Sequence, residues 1–363
     1  MDGGPYGMTL WVVKLGTSLL RGDTAATIEG YASGLAAAMR RGDQVLLVTS
    51  GAVGLGCQQL RLPRRPHAVV ALQAAAATGQ GYLMALYERA MAVHGISVAQ
   101  VLLTRSDLAD RRRYENASGT LQQLLAWGVL PVINENDALS SAELRFGDND
   151  TLSALVAAAV GAHQLLLLTD VDRLYSADPR LDVNAQPITD VRHPRDLKQL
   201  EAGAGNGGRW GTGGMTTKLA AARIATGSGV TVHLADGRDP ARLSGLLEGD
   251  RGGTVFHPHP EPLGNRRSWL AHVLVPEGEL CLDQGACQAL LHRGASLLLV
   301  GVTAVKGEFD ANQAVLLRDP DGQELGRGLC LLNSNQMRQA LVGTTADDSP
   351  VVVHRDALVL QDR

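Results

Sequence analysis

Two lysines, Lys14 and Lys218, each stand in a short stretch crowded with glycine and hydroxyl-bearing residues: Lys14-Leu15-Gly16-Thr17-Ser18 and Gly211-Thr212-Gly213-Gly214-Met215-Thr216-Thr217-Lys218. Between them in the chain lie four more polar clusters, Thr49-Ser50-Gly51-Ala52, Asn134-Glu135-Asn136-Asp137, Gly147-Asp148-Asn149-Asp150 and Thr169-Asp170. A lysine ammonium beside backbone N–H groups left open by glycine can hold phosphate oxygens. Intervening carboxylates can hold the lysines in place and help organise a metal ion. Phosphoryl transfer depends on such placement and charge neutralisation more than on covalent chemistry. Each cluster alone has a plainer explanation. A lysine after a strand is usually a surface residue, Asp148 and Asp150 can simply cap a helix, and residues 212–218 can be an ordinary flexible loop. The six together are hard to explain as accidents of packing. Gly-x-x-x-x-Gly-Lys-Ser/Thr is absent, so this is not a Walker A site, and the first turn lacks the Gly-x-Gly-x-x-Gly spacing of a dinucleotide fold.

The elements that must position these clusters are legible as apolar runs. Leu10-Trp11-Val12-Val13, Val45-Leu46-Leu47-Val48, 98–103, 129–133, Leu165-Leu166-Leu167-Leu168 and 230–234 read as strands. Helical patterns cover 27–41, ended by Gly42, then 69–93, 114–127, 151–161 and 216–226. Continuous rather than alternating strand hydrophobicity predicts parallel strands covered on both faces. Five of the clusters follow strand ends or precede a helix, which is where open parallel sheets bind ligands. The expected class is α/β.

Composition bounds the remaining possibilities. The chain has 363 residues, with 45% hydrophobic and 19% charged, which is ordinary globular usage. A net charge of -4 gives nucleic acid no support as a partner. Cys57, Cys281, Cys287 and Cys330 are too scattered to suggest a zinc cluster. No stretch of about 18 uninterrupted apolar residues and no signal-like amino terminus is present, so neither secretion nor a membrane span is expected and the location is expected to be cytoplasmic. Three prolines within 258–262 cannot propagate regular structure. They place a linker at 256–268, between a catalytic domain at 1–255 and a smaller β-rich domain at 269–363. Strand candidates in the latter are 271–275, 297–300, 314–317 and 351–354.

The six clusters, read with their flanks (Val12 to Ser18, Val48 to Ala52, Pro131 to Asp137, Phe146 to Asp150, Leu168 to Asp170 and Gly211 to Lys218), resemble the bacterial glutamate 5-kinases, a branch of the amino acid kinase family. The resemblance runs over nearly the whole chain, and the Asn134–Asp137 and Gly147–Asp150 pair is its specific part. It implies a three-layer sandwich with a mostly parallel central sheet. It further implies phosphorylation of the L-glutamate γ-carboxylate by ATP with Mg2+, the first step of proline synthesis, with proline as feedback inhibitor and a homo-oligomeric assembly. In residue terms, Lys14 and Lys218 would stabilise the transferring phosphoryl group, with Asp150 holding both ammoniums. Ser50, Asp137 and Asn149 would bind glutamate, helped by the Gly51 backbone, Asn134 and Asp148. Thr169, Asp170 and the loop Thr212, Gly213, Gly214, Met215, Thr216, Thr217 and Lys218 would hold ATP, together with Lys14. The metal ligands stay unassigned.

Two places depart from the family pattern. Asp172-Arg173 stands where a lysine and a glycine are expected, and Arg209-Trp210 where small or apolar residues are expected. Both bear on the nucleotide rather than on the reaction. Residues 270–353 resemble a PUA domain, which binds RNA in unrelated enzymes. No basic, aromatic-rich stripe supports that role here, so a structural or regulatory appendage is expected. The competing readings are a related kinase acting on another carboxylate, and an RNA-binding protein with a degenerate kinase half.

Overall fold

The computed structural model describes residues 8–20, 22–139, 149–179, 182–205, 213–250, 252–272, 274, 276–341 and 349–360. The chain divides into two compact units, Met1–Pro262 and Leu263–Arg363.

In the first unit the strands are β1 (Leu10–Leu15), β2 (Gln44–Val48), β3 (Val98–Leu103), β4 (Leu130–Glu135), β5 (Gln164–Thr169), β6 (Leu174–Tyr175), β7 (Pro187–Ile188), β8 (Asp190–Val191), β9 (Thr231–Asp236) and β10 (Thr254–Phe256). The helices are α1 (Thr24–Arg40), α2 (Ala52–Gln59), α3 (Val69–Ala92), α4 (Arg105–Ala109), α5 (Arg111–Ala126), α6 (Asn149–Val160), α7 (Pro194–Gly205), α8 (Gly213–Gly227) and α9 (Leu243–Leu247). One sheet runs β3-β4-β2-β1-β5-β9-β10-β8. Its pairings from β3 through β9 are all parallel, and only β10 against β9 is antiparallel. β1 therefore lies inside the sheet, between β2 and β5, and all six of its residues are buried.

Side chains alternate across a strand, and β1 uses both faces. Trp11, Val13 and Leu15 join a core with Ile28, Tyr31 and Leu35 of α1 and Leu83, Tyr87 and Met91 of α3. α6 packs on β1 and β5, with α8 beside it. Every residue of α6 that follows Thr151 is buried, which its Leu, Val and Ala content permits. This is a three-layer sandwich around a mostly parallel sheet.

The crossing of α2 and α3 is made by glycines. A Cβ on Gly56 would sit 1.8 Å from the Ala75 carbonyl oxygen, and one on Gly79 1.9 Å from that of Ala52. The two backbones touch, so no side chain fits between them. α3 is also the one helix among the described residues with the length and apolar composition of a membrane span. Its Leu83, Tyr87 and Met91 stripe is nevertheless packed in the core of this unit.

The second unit carries α10 (Asn265–His272), β11 (Gly278–Leu282), α11 (Gln284–Arg293), β12 (Leu297–Leu298), β13 (Val302–Gly307), β14 (Ala314–Arg318), β15 (Glu324–Cys330), α12 (Ser334–Ala340) and β16 (Val351–Leu360). Six strands form a sheet ordered β12-β16-β15-β14-β11-β13. The expected strand at 271–275 is overturned at its start, where Ala271 and His272 close helix α10, while Val273 and Val275 lie outside the described residues. Trp269 and Leu270, both buried, anchor that helix, whose packing partners include β16. The region 256–268 is also more structured than its prolines suggest. Phe256 ends β10, His257 and His259 donate backbone N–H bonds to Val191 and Thr226, and α10 starts at Asn265.

Candidate active site

Lys14 sits in the middle of the sheet with 2% of its side chain exposed. Neighbouring β2 and β5 align Val48 and Leu167 with it. Its ammonium lies 2.5 Å from Oδ1 of Asp150, a carboxylate with no exposed surface. The other oxygen, Oδ2, takes the Lys218 ammonium at 3.0 Å and the Thr217 hydroxyl at 3.0 Å. Lys218 also donates to the Gly214 carbonyl at 3.2 Å. A lone ion of either sign is strongly disfavoured at such depth, so burial of this kind requires pairing. Two ammoniums therefore meet on one carboxylate. The sheet supplies one, α8 the other, and the first turn of α6 supplies the acid between them.

Two cavities join at this group. One, of about 420 Å³, is lined by Lys14, Gly16, Ser50, Gly51, Asn134, Glu135, Asp137 and Asn149, with Thr169, Asp170 and Lys218 at its border. The other, of about 340 Å³, shares Thr169, Asp170 and Lys218 and adds Asp172, Arg173, Tyr175, Asp178, Gly214, Met215 and Arg238. Lys218 thus faces both. At the second cavity, hydrogen bonds from the Arg238 side chain hold the Asp236 carboxyl below its usual range. Burial, and then the hydrogen bond to Asp172, raises the Tyr175 phenol.

The floor of the first cavity is a directional chain of carboxamides. Asn149 Nδ2 donates to the Thr49 carbonyl at 2.5 Å, a group that can only accept, so the orientation of the Asn149 amide is settled. The same nitrogen reaches Ser50 Oγ at 2.9 Å and Asn134 Oδ1 at 2.8 Å. Asn134 must then turn its own NH2 the other way, to Gln80 Oε1 at 2.8 Å. Gln80 Nε2 ends the chain as a buried donor without a hydrogen-bond partner among the described residues. Under Ser50, the Thr49 hydroxyl pairs with the buried Tyr87 hydroxyl at 2.8 Å, and burial raises the Tyr87 phenol. Gly51 opens α2 at φ 106°, a backbone angle that favours glycine.

Most of the residues singled out by sequence come together here. Lys14, Ser50, Gly51, Asn134, Asp137, Asn149, Thr169, Asp170 and Lys218 line the first cavity, and Gly214 and Met215 the second. Asp150 lies beneath both lysines. Three expectations change. Residues 213–218 are the opening turns of α8 rather than a loop, so α8 presents backbone N–H groups as well as Lys218. Thr217 braces Asp150, and among the described residues neither it nor Thr216 lines either cavity. Asn149, expected to bind glutamate, turns its NH2 to protein acceptors on Thr49, Ser50 and Asn134. Asp148 and Thr212, like Arg209-Trp210, lie outside the described residues. Sequence reading passed over Gly16, Arg65, Glu135, Tyr175, Asp178 and Arg238 as cavity residues, and Gln80 as support. Gly16, inside the Lys14–Ser18 cluster, and Glu135, inside the Asn134–Asp137 cluster, carried a signal that could have found them.

Residues 9–236 match the model of the Amino acid kinase family, and residues 278–348 that of the PUA domain. A glutamate 5-kinase of Synechococcus sp. (strain CC9902) is 92% identical over 357 residues, covering 98% of this chain and all of that one. The chain belongs to the glutamate 5-kinase family. A second family member, from Synechococcus sp. (strain CC9605), is 78% identical over the same share of both chains. The structure of a carbamate kinase from Giardia lamblia bound to AMP-PNP superposes with a TM-score of 0.51 at 18% identity, over 70% of this chain and 99% of that one, which is a likeness of fold. Within the glutamate 5-kinase fold seen here, the departure at Asp172-Arg173 is a local pair. Arg173 Nε lies 2.9 Å from Asp172 Oδ2, and both residues line the second cavity.

Proposed function

We propose that this chain transfers the γ-phosphoryl group of ATP to the γ-carboxylate of L-glutamate, giving L-glutamyl 5-phosphate for proline synthesis, with the second cavity as nucleotide site and the first as acceptor site. The observation that carries the arrangement is the placement of Lys14 and Lys218 on Asp150 where the two cavities join. The γ-carboxylate is already ionised near neutral pH, so no general base is needed. The carboxylate oxygen attacks the γ-phosphorus as the bond to the β–γ bridging oxygen breaks. ADP leaves with that bond's electrons. Negative charge spreads over the equatorial oxygens during transfer, and two ammoniums fixed in advance stabilise it without reorganising. Asp150 keeps them apart from each other and aimed. Asp137 and Glu135 offer carboxylates to the substrate ammonium, and the α2 amino terminus with Ser50 offers donors.

Among the described residues no group of three or more His, Cys, Asp or Glu side chains could hold a metal ion. Mg2+ would accordingly be held mainly by the triphosphate and water, with Asp170 at the junction as the protein carboxylate, and would neutralise phosphate charge there. An assay with glutamate, ATP, Mg2+ and hydroxylamine tests the reading by trapping the acyl phosphate as a hydroxamate. Glutamate-dependent hydroxamate is expected. ATP turnover with another carboxylic acid, and none with glutamate, would defeat the proposal.

A further inference from the structure

Arg65 lies in the connection between α2 and α3, flanked closely by Pro63 and Pro66, and is among the residues lining the acceptor cavity. Among the described residues, the cations lining that cavity are Lys14, Lys218 and Arg65. The two lysines are drawn onto Asp150 at the transfer end. Toward Asn134 the wall is acidic, with Glu135 and Asp137. Arg65 makes no ion pair among the described residues, whereas other arginines do, such as Arg41 with Glu248 and Arg318 with Glu279.

The acceptor named above carries two carboxylates and one ammonium. Its γ-carboxylate must approach Lys14 and Lys218 to react. Its ammonium suits Glu135 and Asp137. That leaves an α-carboxylate in a cavity whose remaining charged wall would repel it, unless a cation answers it. We infer that Arg65 is a specificity residue that binds the acceptor's α-carboxylate, together with the first-turn amides of α2 at Ala52 and Val53. Those residues line the same cavity, and guanidinium is the side chain best shaped for a carboxylate. Arg65 would therefore select acceptors bearing a second anion, and leave the transfer step to the lysines.

This inference rests on glutamate being the acceptor, so the test separates the two. Steady-state kinetics at saturating ATP compare L-glutamate with L-isoglutamine, whose α-carboxylate is replaced by a neutral carboxamide. Isoglutamine is followed as a substrate, or as a competitor of glutamate where its turnover is slow. R65A is expected to raise the glutamate KM about tenfold, the loss typical of one charged hydrogen bond, with kcat within about twofold. Isoglutamine should be almost unaffected, so the preference between the two ligands should shrink about tenfold. R65K should fall between, because an ammonium keeps the charge but not the two-pronged geometry. Equal losses for both ligands, a fall in kcat at unchanged KM, or no change would each overturn the assignment. Absence of glutamate turnover in the unaltered chain would instead remove the acceptor reading beneath it.

Discussion

At the scale of single residues, the site divides into groups that face the reaction and groups that hold those in place. Lys14 and Lys218 belong to the first kind. K14A and K218A should each lower kcat about 10²–10³-fold and change the glutamate KM little, since loss of one preorganised charge-stabilising donor is typically worth that much. Near-normal kcat in a folded variant would reject its role. Asp137 lines the acceptor cavity beside buried Glu135. D137N should raise the glutamate KM and leave the dependence on Mg2+ unchanged, and a shifted Mg2+ requirement at normal KM would reassign it. Gln80 is of the holding kind, because it acts through Asn134. Q80M keeps the shape and removes the acceptor for the Asn134 amide. The glutamate KM should rise several-fold, about the effect of one neutral hydrogen bond, while the ATP KM stays put. Equal changes in both constants would mean general loosening instead.

At the scale of elements, the acceptor site hangs on the crossing of two helices. Gly51 at the start of α2 and Gln80 on α3 both serve the cavity, and the Gly56–Gly79 contact sets the distance between their helices. G79A would place a methyl group against the Ala52 carbonyl, where nothing but backbone can give way. A destabilisation of about 3 kcal/mol or more is expected, in the range of severe overpacking, together with weaker glutamate binding. Gly81, two residues on, is exposed, and a methyl group there would meet no atom within 4 Å. G81A should therefore stabilise the chain by about 0.5–1 kcal/mol, the ordinary gain of alanine over glycine within a helix. Denaturant unfolding of the pair checks both signs, and G79A as mild as G81A would show that the crossing yields.

At the scale of the whole molecule, the chain consists of a catalytic unit and a PUA-containing unit, and the division between Pro262 and Leu263 suggests where to cut. We propose that proline, which shares the α-carboxylate and a cationic nitrogen with glutamate, inhibits by overlapping the acceptor cavity. A chain ending at Pro262 should then keep glutamate-dependent turnover and its sensitivity to proline. Ending at Phe256 is a poorer choice, because it removes the backbone bonds from His257 to Val191 and from His259 to Thr226 and uncovers Gly229, beside which Pro262 packs. Calorimetry of proline binding to the chain ending at Pro262, with and without glutamate, decides the matter. Mutual exclusion is expected, and each ligand must weaken the other by the same factor. Retained turnover without proline binding would move the sensor to the second unit.

The sequence by itself determined the sheet class and most of the site. Runs such as Leu165 to Leu168, apolar without alternation, can be satisfied only between two covering layers, and glycine-rich polar clusters at strand ends have few other uses. These signals are local, written in consecutive residues. Other features depended on which distant residues meet. Gln80 stands in an alanine-rich helical run and Arg65 in a proline-bounded connection, and neither has a neighbour in sequence that marks it. Their importance comes from contacts across the fold, Gln80 with Asn134 and Arg65 with the cavity beside Ser50. The strand order, with β1 between β2 and β5, and the sharing of Asp150 by two lysines from different elements are likewise properties of packing. The misread strand at 271–275 has the same origin. A short, mainly apolar stretch satisfies either period, and at Ala271 and His272 the helix carrying buried Trp269 and Leu270 onto β15 and β16 prevailed.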